Sequence, residues 1–249
     1  MKKIKIHYTY YIISISFILT GEFLNLLIFT SLIIIHELGH YLACLLVKIN
    51  VKKIIIYPYG GITKTEDIID IDFKSELLIS ISGIIMQFIY FLIINLLYKN
   101  YLIREYTYNL FYNYHYSMLI FNLIPIYPLD GSKILNILIN KIFNFKISNF
   151  LLIIISIINM IVMLFIYKIN YSYLMIVGVL INYLFTYIKN IKYLYNRFLL
   201  EKYLYKKDYK NKKIIKDYTK MYRNSNHIIK NNNKYIKEED FLIKMFDLK

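Results

Sequence analysis

Long runs of apolar residues constrain this chain more than any other feature. A helix needs about 20 apolar residues to cross the roughly 30 Å hydrocarbon core of a bilayer. The chain has 58% hydrophobic residues and a mean hydropathy of +0.44, which exceeds the apolar share of ordinary soluble domains. The sequence therefore predicts an all-α membrane protein with about six transmembrane helices. The predicted segments are Tyr8–Leu19, Phe23–Val47, Leu77–Tyr98, Tyr108–Ile139 with an interruption, Phe150–Tyr167 and Tyr171–Ile188.

Basic residues in the connections predict the orientation of these segments. Lys2, Lys3 and Lys5 precede the first segment, and the turn Thr20–Glu22 has no basic residue. Connections rich and poor in lysine then alternate as far as the strongly basic tail. Because cytosolic loops carry the excess of Lys and Arg, we expect both termini to face the cytosol. The first segment is short for a full crossing.

The charge and the single cysteine exclude several classes of function. The formal net charge is +15, but heavy use of Ile, Tyr, Asn and Lys indicates an AT-rich coding bias, so we expect no direct nucleic-acid binding. A basic segment beside the membrane is instead attracted to anionic lipid of the bilayer. Cys44 stands alone, which excludes an intrachain disulfide and a zinc site made of several thiolates. We predict a membrane-embedded domain over residues 1–190 and a basic cytosolic tail over residues 191–249.

The most informative motif lies in the second apolar segment. His36-Glu37-Leu38-Gly39-His40 has the H-E-x-x-H pattern, which places two imidazoles on one helix face within reach of one metal ion. Glu37 can accept a proton from an attacking water. A pair of buried histidines with local hydrogen bonds is the simpler interpretation. However, ionisable residues inside a membrane are costly and usually functional.

A catalytic zinc needs a third protein ligand. His7 and His227 lie outside the predicted segments, and His115 is expected near the outer end of the fourth. Asp130 is expected at the cytosolic end of that segment, at a depth similar to His40, so we choose it and give His115 a packing role. Pro125 and Pro128 precede Asp130. Prolines interrupt backbone hydrogen bonding, and such backbone at membrane depth is tolerated where it lines a cavity.

Together, H-E-x-x-H and the later N-x-x-P-x-x-P-L-D-G segment resemble the site-2 protease family of intramembrane zinc metalloproteases. The resemblance implies one Zn²⁺ per chain, bound by His36, His40 and Asp130, with Glu37 as the general base. It also implies that Asn122 positions the substrate or polarises the scissile carbonyl. An interhelical hydrogen bond is an equally good explanation of Asn122.

Further segments resemble the stage IV sporulation branch, which trims the pro-sigma-K precursor. Ser82-Gly83 with Gln87 matches a motif in the third segment, although Ile84 replaces a proline and Ser132 replaces a glycine elsewhere. Tyr57-Pro58-Tyr59-Gly60-Gly61 is similar to a P-F-G-G loop and predicts a small hairpin after the second segment. The basic tail is expected to hold at most a truncated fragment of the nucleotide-sensing CBS module of that branch, over Met221–Leu242.

These patterns predict an intramembrane zinc metalloendopeptidase. Its expected substrate is a membrane-associated proprotein, such as a sporulation pro-sigma factor, cleaved in or near the bilayer. The expected location is a bacterial membrane, with the forespore membrane as a candidate. Inhibitory membrane proteins are expected partners, and the oligomeric state is left open. The alternatives are a catalytically silent membrane scaffold or regulator of the same fold and a zinc transporter.

Overall fold

The computed structural model describes residues 4–57, 60–65, 69–166, 171–231 and 234–246. The chain divides into two compact units. The first comprises Met1–Asp67 and Leu77–Ile124, and the second comprises Ile68–Glu76 and Pro125–Lys249. The helices are α1 (Tyr8–Leu19), α2 (Phe23–Leu46), α3 (Phe73–Lys99), α4 (Glu105–Leu123), α5 (Asp130–Ile142), α6 (Phe145–Ile166), α7 (Tyr171–Tyr205) and α8 (Glu238–Phe246). The strands are β1 (Ile4–Ile6), β2 (Val51–Tyr57), β3 (Gly60–Thr65), β4 (Lys212–Ile215), β5 (Asn226–Asn231) and β6 (Lys234–Lys237).

Within the described ranges, four helices are long and apolar enough to cross a membrane. They are Phe23–Leu46, Phe73–Lys99, Phe145–Phe165 and Leu174–Tyr205, and α1 is a shorter apolar helix. The predicted interruption of the fourth segment divides it into two helices, α4 and α5, separated by the non-helical residues 124–129. Pro125 and Pro128 lie in this break, where their missing amide donors interrupt the helix as expected.

The first unit contains a three-stranded sheet of order β1-β2-β3. β2 and β3 form the predicted hairpin, with Tyr57 opposite Gly60; Pro58 and Tyr59 lie outside the described residues. β1 adds a parallel strand beside β2, pairing Ile4 with Ile54, which we did not predict. Apolar side chains of α2 and α4 pack together nearby, and the buried members of this core are Tyr10, Ile28, Leu32, Ile33, Ile56, Phe111 and Met118.

The second unit corrects the prediction of an all-α chain, because the basic tail contains strands as well as helices. Its strands β4, β5 and β6 form another three-stranded sheet, so the segment Lys206–Lys216 contains a strand whose Ile215 is buried. β5 and β6 pair antiparallel, with Asn231 opposite Lys234; Asn232 and Asn233 lie outside the described residues. The chain remains mostly helical. Residues of α6, α7, β4, β5 and α8 share one core, made of Phe145, Tyr195, Phe198, Leu199, Ile215, Met221, Ile229 and Leu242.

Candidate metal centre

The two histidines of the H-E-x-x-H motif face each other on α2. Their Nε2 atoms lie 3.1 Å apart, because residues four positions apart are neighbours on one face of a helix. Both side chains are buried, with His36 3% and His40 5% exposed. Ligand atoms of His36, Glu37 and His40 all lie within 4.8 Å of one another. The arrangement therefore brings two imidazoles and a carboxylate together inside an apolar helix.

A backbone carbonyl fixes the tautomer of His40. Nδ1 of His40 lies 2.7 Å from the carbonyl oxygen of Ile79 on α3. A carbonyl can only accept a hydrogen bond, so Nδ1 carries the proton and Nε2 keeps its lone pair. Metal-binding histidines are commonly oriented in this way by an acceptor behind the ring. The same carbonyl accepts a hydrogen bond from Ser82 Oγ at 2.7 Å, which ties it to the next turn of α3.

Glycines allow α3 to approach both histidines closely. A Cβ atom on Gly83 would lie 2.5 Å from His40 Nε2 and 2.8 Å from His36 Nε2. A Cβ on Gly39 would collide with the backbone of Ser82. These contacts give a physical reason for the Ser82-Gly83 pair that the sequence singled out. Only a residue without a side chain leaves space in front of the two nitrogens.

The hairpin of the first unit holds the carboxylate of Glu37. Thr63 Oγ1 donates a hydrogen bond to Glu37 Oε2 at 2.6 Å. A Cβ on Gly61 would lie 2.6 Å from Glu37 Oε1 and 2.5 Å from its Cδ, so β3 packs directly on this side chain. Glu37 is 4% exposed. One carboxylate oxygen is thus bound by a hydroxyl, and the side chain is confined beside the imidazoles.

These residues fit a zinc ion. Two nitrogens bound to one tetrahedral zinc at about 2.0–2.1 Å are separated by a little over 3 Å, close to the 3.1 Å between the two Nε2 atoms. The donor set of imidazoles and carboxylate is one that zinc prefers. The space that a Cβ on Gly83 would fill lies against both nitrogens.

Asp130 belongs to the second unit, where it is the first residue of α5. Its side chain is buried, with 4% exposure, and Lys133 Nζ donates to Oδ1 at 2.7 Å. A carboxylate at this position is stabilised by the positive end of the helix dipole. The role of Asp130 as a third ligand stays a prediction.

The other candidate residues from the sequence do not belong to the cluster of His36, Glu37 and His40. Asn122 lies in the last turn of α4. His115 is fully buried on α4, where its backbone carbonyl accepts from Gln87 Nε2 at 2.9 Å and its ring stacks on Phe91, so the predicted packing role agrees with its surroundings. His7 caps α1, and His227 lies on β5.

Sequence reasoning missed Thr63 and the Ile79 carbonyl. The main-chain group leaves no trace in the residue type. Side chains alternate between the two faces of β3, so Gly61 and Thr63 lie on the same face. The sequence could therefore have pointed to Thr63 through Gly61, which the predicted loop had already singled out.

Residues 24–111 match the model of peptidase family M50. The predicted resemblance to the site-2 proteases is thereby confirmed. The matched M50 segment contains α2, the hairpin and α3, hence His36, Glu37 and His40 together with the groups that orient them.

Two curated proteins share the M50 resemblance. The chain is 33% identical over 143 residues to stage IV sporulation protein FB of Bacillus subtilis, covering 56% of this chain and 48% of that protein. It is 31% identical over 121 residues to a zinc metalloprotease of Methanocaldococcus jannaschii, covering 47% of this chain and 34% of that protein. The matches therefore span less than half of the length of either relative.

A solved structure supports the fold. The site-2 protease from Methanocaldococcus jannaschii superposes with a TM-score of 0.54 at 22% identity, covering 73% of this chain and 86% of that one. At this identity the likeness concerns the fold alone. Together with the four apolar helices, these relatives identify the chain as an integral membrane protein.

Proposed function

We propose that this chain is an intramembrane zinc metalloendopeptidase. The observation that carries the proposal is the buried cluster of His36, Glu37 and His40 on a helix that is long and apolar enough to cross a membrane. Burying three ionisable groups in such a helix is costly, and ionisable residues inside a membrane usually mark a functional site. The M50 match over the same residues supports the proposal.

His36 and His40 would hold one zinc ion per chain through Nε2, with Asp130 as the third ligand. Zinc supplies a Lewis acid that makes water nucleophilic at neutral pH. The hydrogen bond from His40 Nδ1 to Ile79 holds one imidazole in the tautomer required for binding. Asp130 is buried at the start of α5. This burial supports its proposed role as the third ligand.

Glu37 would act as the general base. It accepts a proton from the attacking water and passes it to the leaving amine, while Thr63 holds Oε2 and leaves Oε1 available for transfer. This division of the two oxygens keeps the carboxylate oriented without removing its basic site. Asn122 would orient the substrate or polarise the scissile carbonyl, as the sequence motif implies.

We further propose six membrane segments with both termini in the cytosol. Contacts inside the second unit support this arrangement. Arg223 of the tail binds Glu76 at the beginning of α3, and the amide of Phe145 at the beginning of α6 donates to the Met221 carbonyl at 3.0 Å. The third and fifth segments thus both begin on the side of the tail. Residues 1–190 would form the membrane-embedded domain and residues 191–249 the cytosolic tail, with a truncated CBS-like fragment.

The proposed substrate is a membrane-associated proprotein, with a sporulation pro-sigma factor as the first choice. Similarity to stage IV sporulation protein FB supports this choice. Inhibitory membrane partners and a bacterial, forespore-type membrane follow from the same resemblance. A reporter fused to the tail should be active only in the cytosol, and activity outside the membrane would overturn the topology.

The decisive experiment compares the parent with Glu37→Gln and His36→Ala in the same membranes. Each is co-expressed with pro-sigma precursors, and shortened product and bound zinc are measured. Glu37→Gln should keep near-stoichiometric zinc and lose cleavage by at least about a hundredfold, the usual scale for a general base. His36→Ala should lose zinc and cleavage together. Undiminished cleavage by Glu37→Gln with zinc bound would refute the mechanism and favour the scaffold or transporter.

A further inference from the structure

A basic cavity in the second unit has no part in the proposed peptidase chemistry. Its volume is about 410 Å³, and Lys141, Lys210, Lys213 and Arg223 line it together with a single acid, Asp72. Arg223 is already paired with Glu76, at 2.7 Å between Nη2 and Oε2. The three lysines therefore outnumber Asp72 and leave the cavity net positive.

A buried amide in the wall of this cavity lacks partners. Asn224 lines the cavity and is 8% exposed. Neither its Nδ2 nor its Oδ1 has a hydrogen-bond partner among the described residues, and the Nε of Arg223 lacks one as well. The Asn224 backbone is fixed, because its N–H donates to Asp70 Oδ1 at 3.0 Å. Buried polar groups without partners are rare and costly, so the donors Asn224 Nδ2 and Arg223 Nε are suited to bind an acceptor in this cavity.

An aromatic ring holds the side chain of Lys213, which also lines the cavity. Its Nζ lies 3.5 Å from the centre of the Tyr222 ring, a cation–π contact that restricts a flexible side chain. The neighbouring Lys212 on β4 is exposed, whereas Lys213 is partly buried. Adjacent residues of a strand point to opposite faces, so only one of these two lysines lines the cavity.

The cavity lies where two candidate membrane spans begin. Phe73, another lining residue, is the first residue of the span Phe73–Lys99. Lys141 lies shortly before the span Phe145–Phe165, whose first residue is bound to Met221 of the tail. Residues at the ends of spans are at the depth of the lipid headgroups, where basic side chains meet anionic lipid.

We propose that this cavity binds a phosphate group, supplied by the headgroup of an anionic lipid. Lys141, Lys210 and Lys213 would surround the phosphate, and Asn224 Nδ2 and Arg223 Nε would donate to its oxygens. Charged donors and phosphate form strong hydrogen bonds. The cavity shares no residue with the proposed metal centre, so Glu37→Gln protein should bind the ligand as the parent does.

The test uses the full chain purified in a zwitterionic detergent at about 0.15 M salt, where charges more than about 8 Å away are screened. Binding of six-carbon phosphatidic acid and of inorganic phosphate is measured by titration. Lys213→Gln should weaken binding of the lipid about tenfold, through loss of a charge-assisted hydrogen bond. Asn224→Gly, which keeps the net charge and tolerates the φ of 50° at this position, should weaken it about fivefold.

Lys212→Gln is the matched control, since it removes the same charge from the same strand. It should bind within about threefold of the parent, because only general attraction is lost. Equal losses in Lys212→Gln and Lys213→Gln, with parent-like binding by Asn224→Gly, would show simple surface attraction and overturn the cavity. Inorganic phosphate that binds as tightly as the lipid would overturn the lipid as the source.

A labelling experiment needs no variant and covers the case in which one fails to fold. The parent protein is treated with an amine-acylating reagent with and without phosphatidic acid, and modification is read at individual lysines by mass spectrometry. The lipid should protect Lys213 at least about threefold more than Lys212, because contact protection is local whereas charge attraction is shared. Equal protection of the two lysines would contradict the proposal.

Discussion

The two units contain sheets of the same topology with different polar neighbours. In each sheet a first strand runs parallel to the middle strand, and the middle and last strands form an antiparallel hairpin. The first sheet presents the hydroxyl of Thr63 to Glu37. Beside the second sheet, Glu238 is bound by Lys202 at 3.0 Å and by His227 at 2.7 Å. A hydroxyl orients a carboxylate, whereas an ammonium and an imidazole also fix its charge.

This difference distinguishes the carboxylate proposed to be reactive from a structural one. Burial alone would raise the pKa of Glu238, but His227 and Lys202 outweigh burial and lower it. The anionic form of Glu238 is therefore favoured, and it connects α7, β5 and α8 through Lys202 and His227. Under the proposed mechanism, the sheet of the first unit would support chemistry, whereas that of the second supports stability, and the donors on the neighbouring carboxylate distinguish the two.

The largest effect is expected from Gly83→Ala. Its Cβ would lie 2.5 Å from His40 Nε2, so an imidazole must move, and zinc affinity and cleavage should both fall by up to about a hundredfold, the upper scale for disturbing the groups that orient metal ligands. The measurement is metal analysis with precursor trimming. Gly178→Ala is the control, because no heavy atom lies within 4 Å of its Cβ and alanine stabilises a helix interior by about 1 kcal/mol. Full zinc binding by Gly83→Ala would contradict the assigned geometry.

Glu238→Gln tests the structural carboxylate. The change leaves the buried Lys202 ammonium without its counterion, and breaking a buried pair costs about 3–5 kcal/mol. We expect the lower end, since Lys202 still donates to the Ser225 carbonyl at 2.8 Å. Hydrogen exchange of β4, β5 and β6 should accelerate, while zinc content is unchanged. Loss of zinc in this variant would show that Glu238 also affects the metal centre, and would contradict a purely structural role for this carboxylate.

Thr63→Val should reduce cleavage about tenfold without changing zinc content. The variant removes a hydrogen bond to a charged group, worth about 1.5–3 kcal/mol, while the side-chain volume is kept. Thr63→Ser restores the hydroxyl and should recover most of the activity. Kinetics of both variants separate a fall in kcat from a change in KM. Equal activity of the valine and serine variants would mean that the contact with Glu37 is only structural.

The smallest effect concerns pH. Burial lowers the pKa of His227 below its usual 6.5, although Glu238 opposes this. Just below pH 6.5 the unfolded chain therefore binds more protons at His227 than the folded tail does. Because proton uptake favours the unfolded state, the stability that comes from a neutral His227 is lost as the pH falls through the folded pKa. Hydrogen exchange of β5, corrected for intrinsic rates, should be faster at pH 5 than at pH 7.5. His227→Gln should remove that difference, and its persistence would exclude His227 as the source.

The sequence predicted the parts of this molecule that depend on local patterns. Apolar runs predicted the long helices, Pro125 and Pro128 the break before Asp130, and Gly60-Gly61 the hairpin. The pairing of β1 with β2 could not be predicted, because three residues carry too little pattern and the pairing joins distant positions. The tail sheet was missed for a related reason, since two of the four residues of β4 are lysines and only Ile215 is buried.

Candidate site residues were predictable where chemistry requires a residue type. His36, Glu37 and His40 stood out by spacing, and Gly83 by motif. Their supporting groups did not, since Ile79 acts through its carbonyl and Thr63 comes from another element. A carbonyl is present in every residue, so only the fold reveals which one faces an imidazole.

The parallel pairing of β1 and β2 also sets the point at which the first helix begins. His7 N–H donates to the Ile56 carbonyl, so α1 starts beside the far end of β2 and not beside the strand end that follows α2. At 1.5 Å per residue, the 12 residues of α1 extend about 18 Å, whereas the 24 residues of α2 extend about 36 Å. α1 by itself is therefore shorter than the roughly 30 Å apolar core of a bilayer, and the strand before it decides which part of that thickness it can cover.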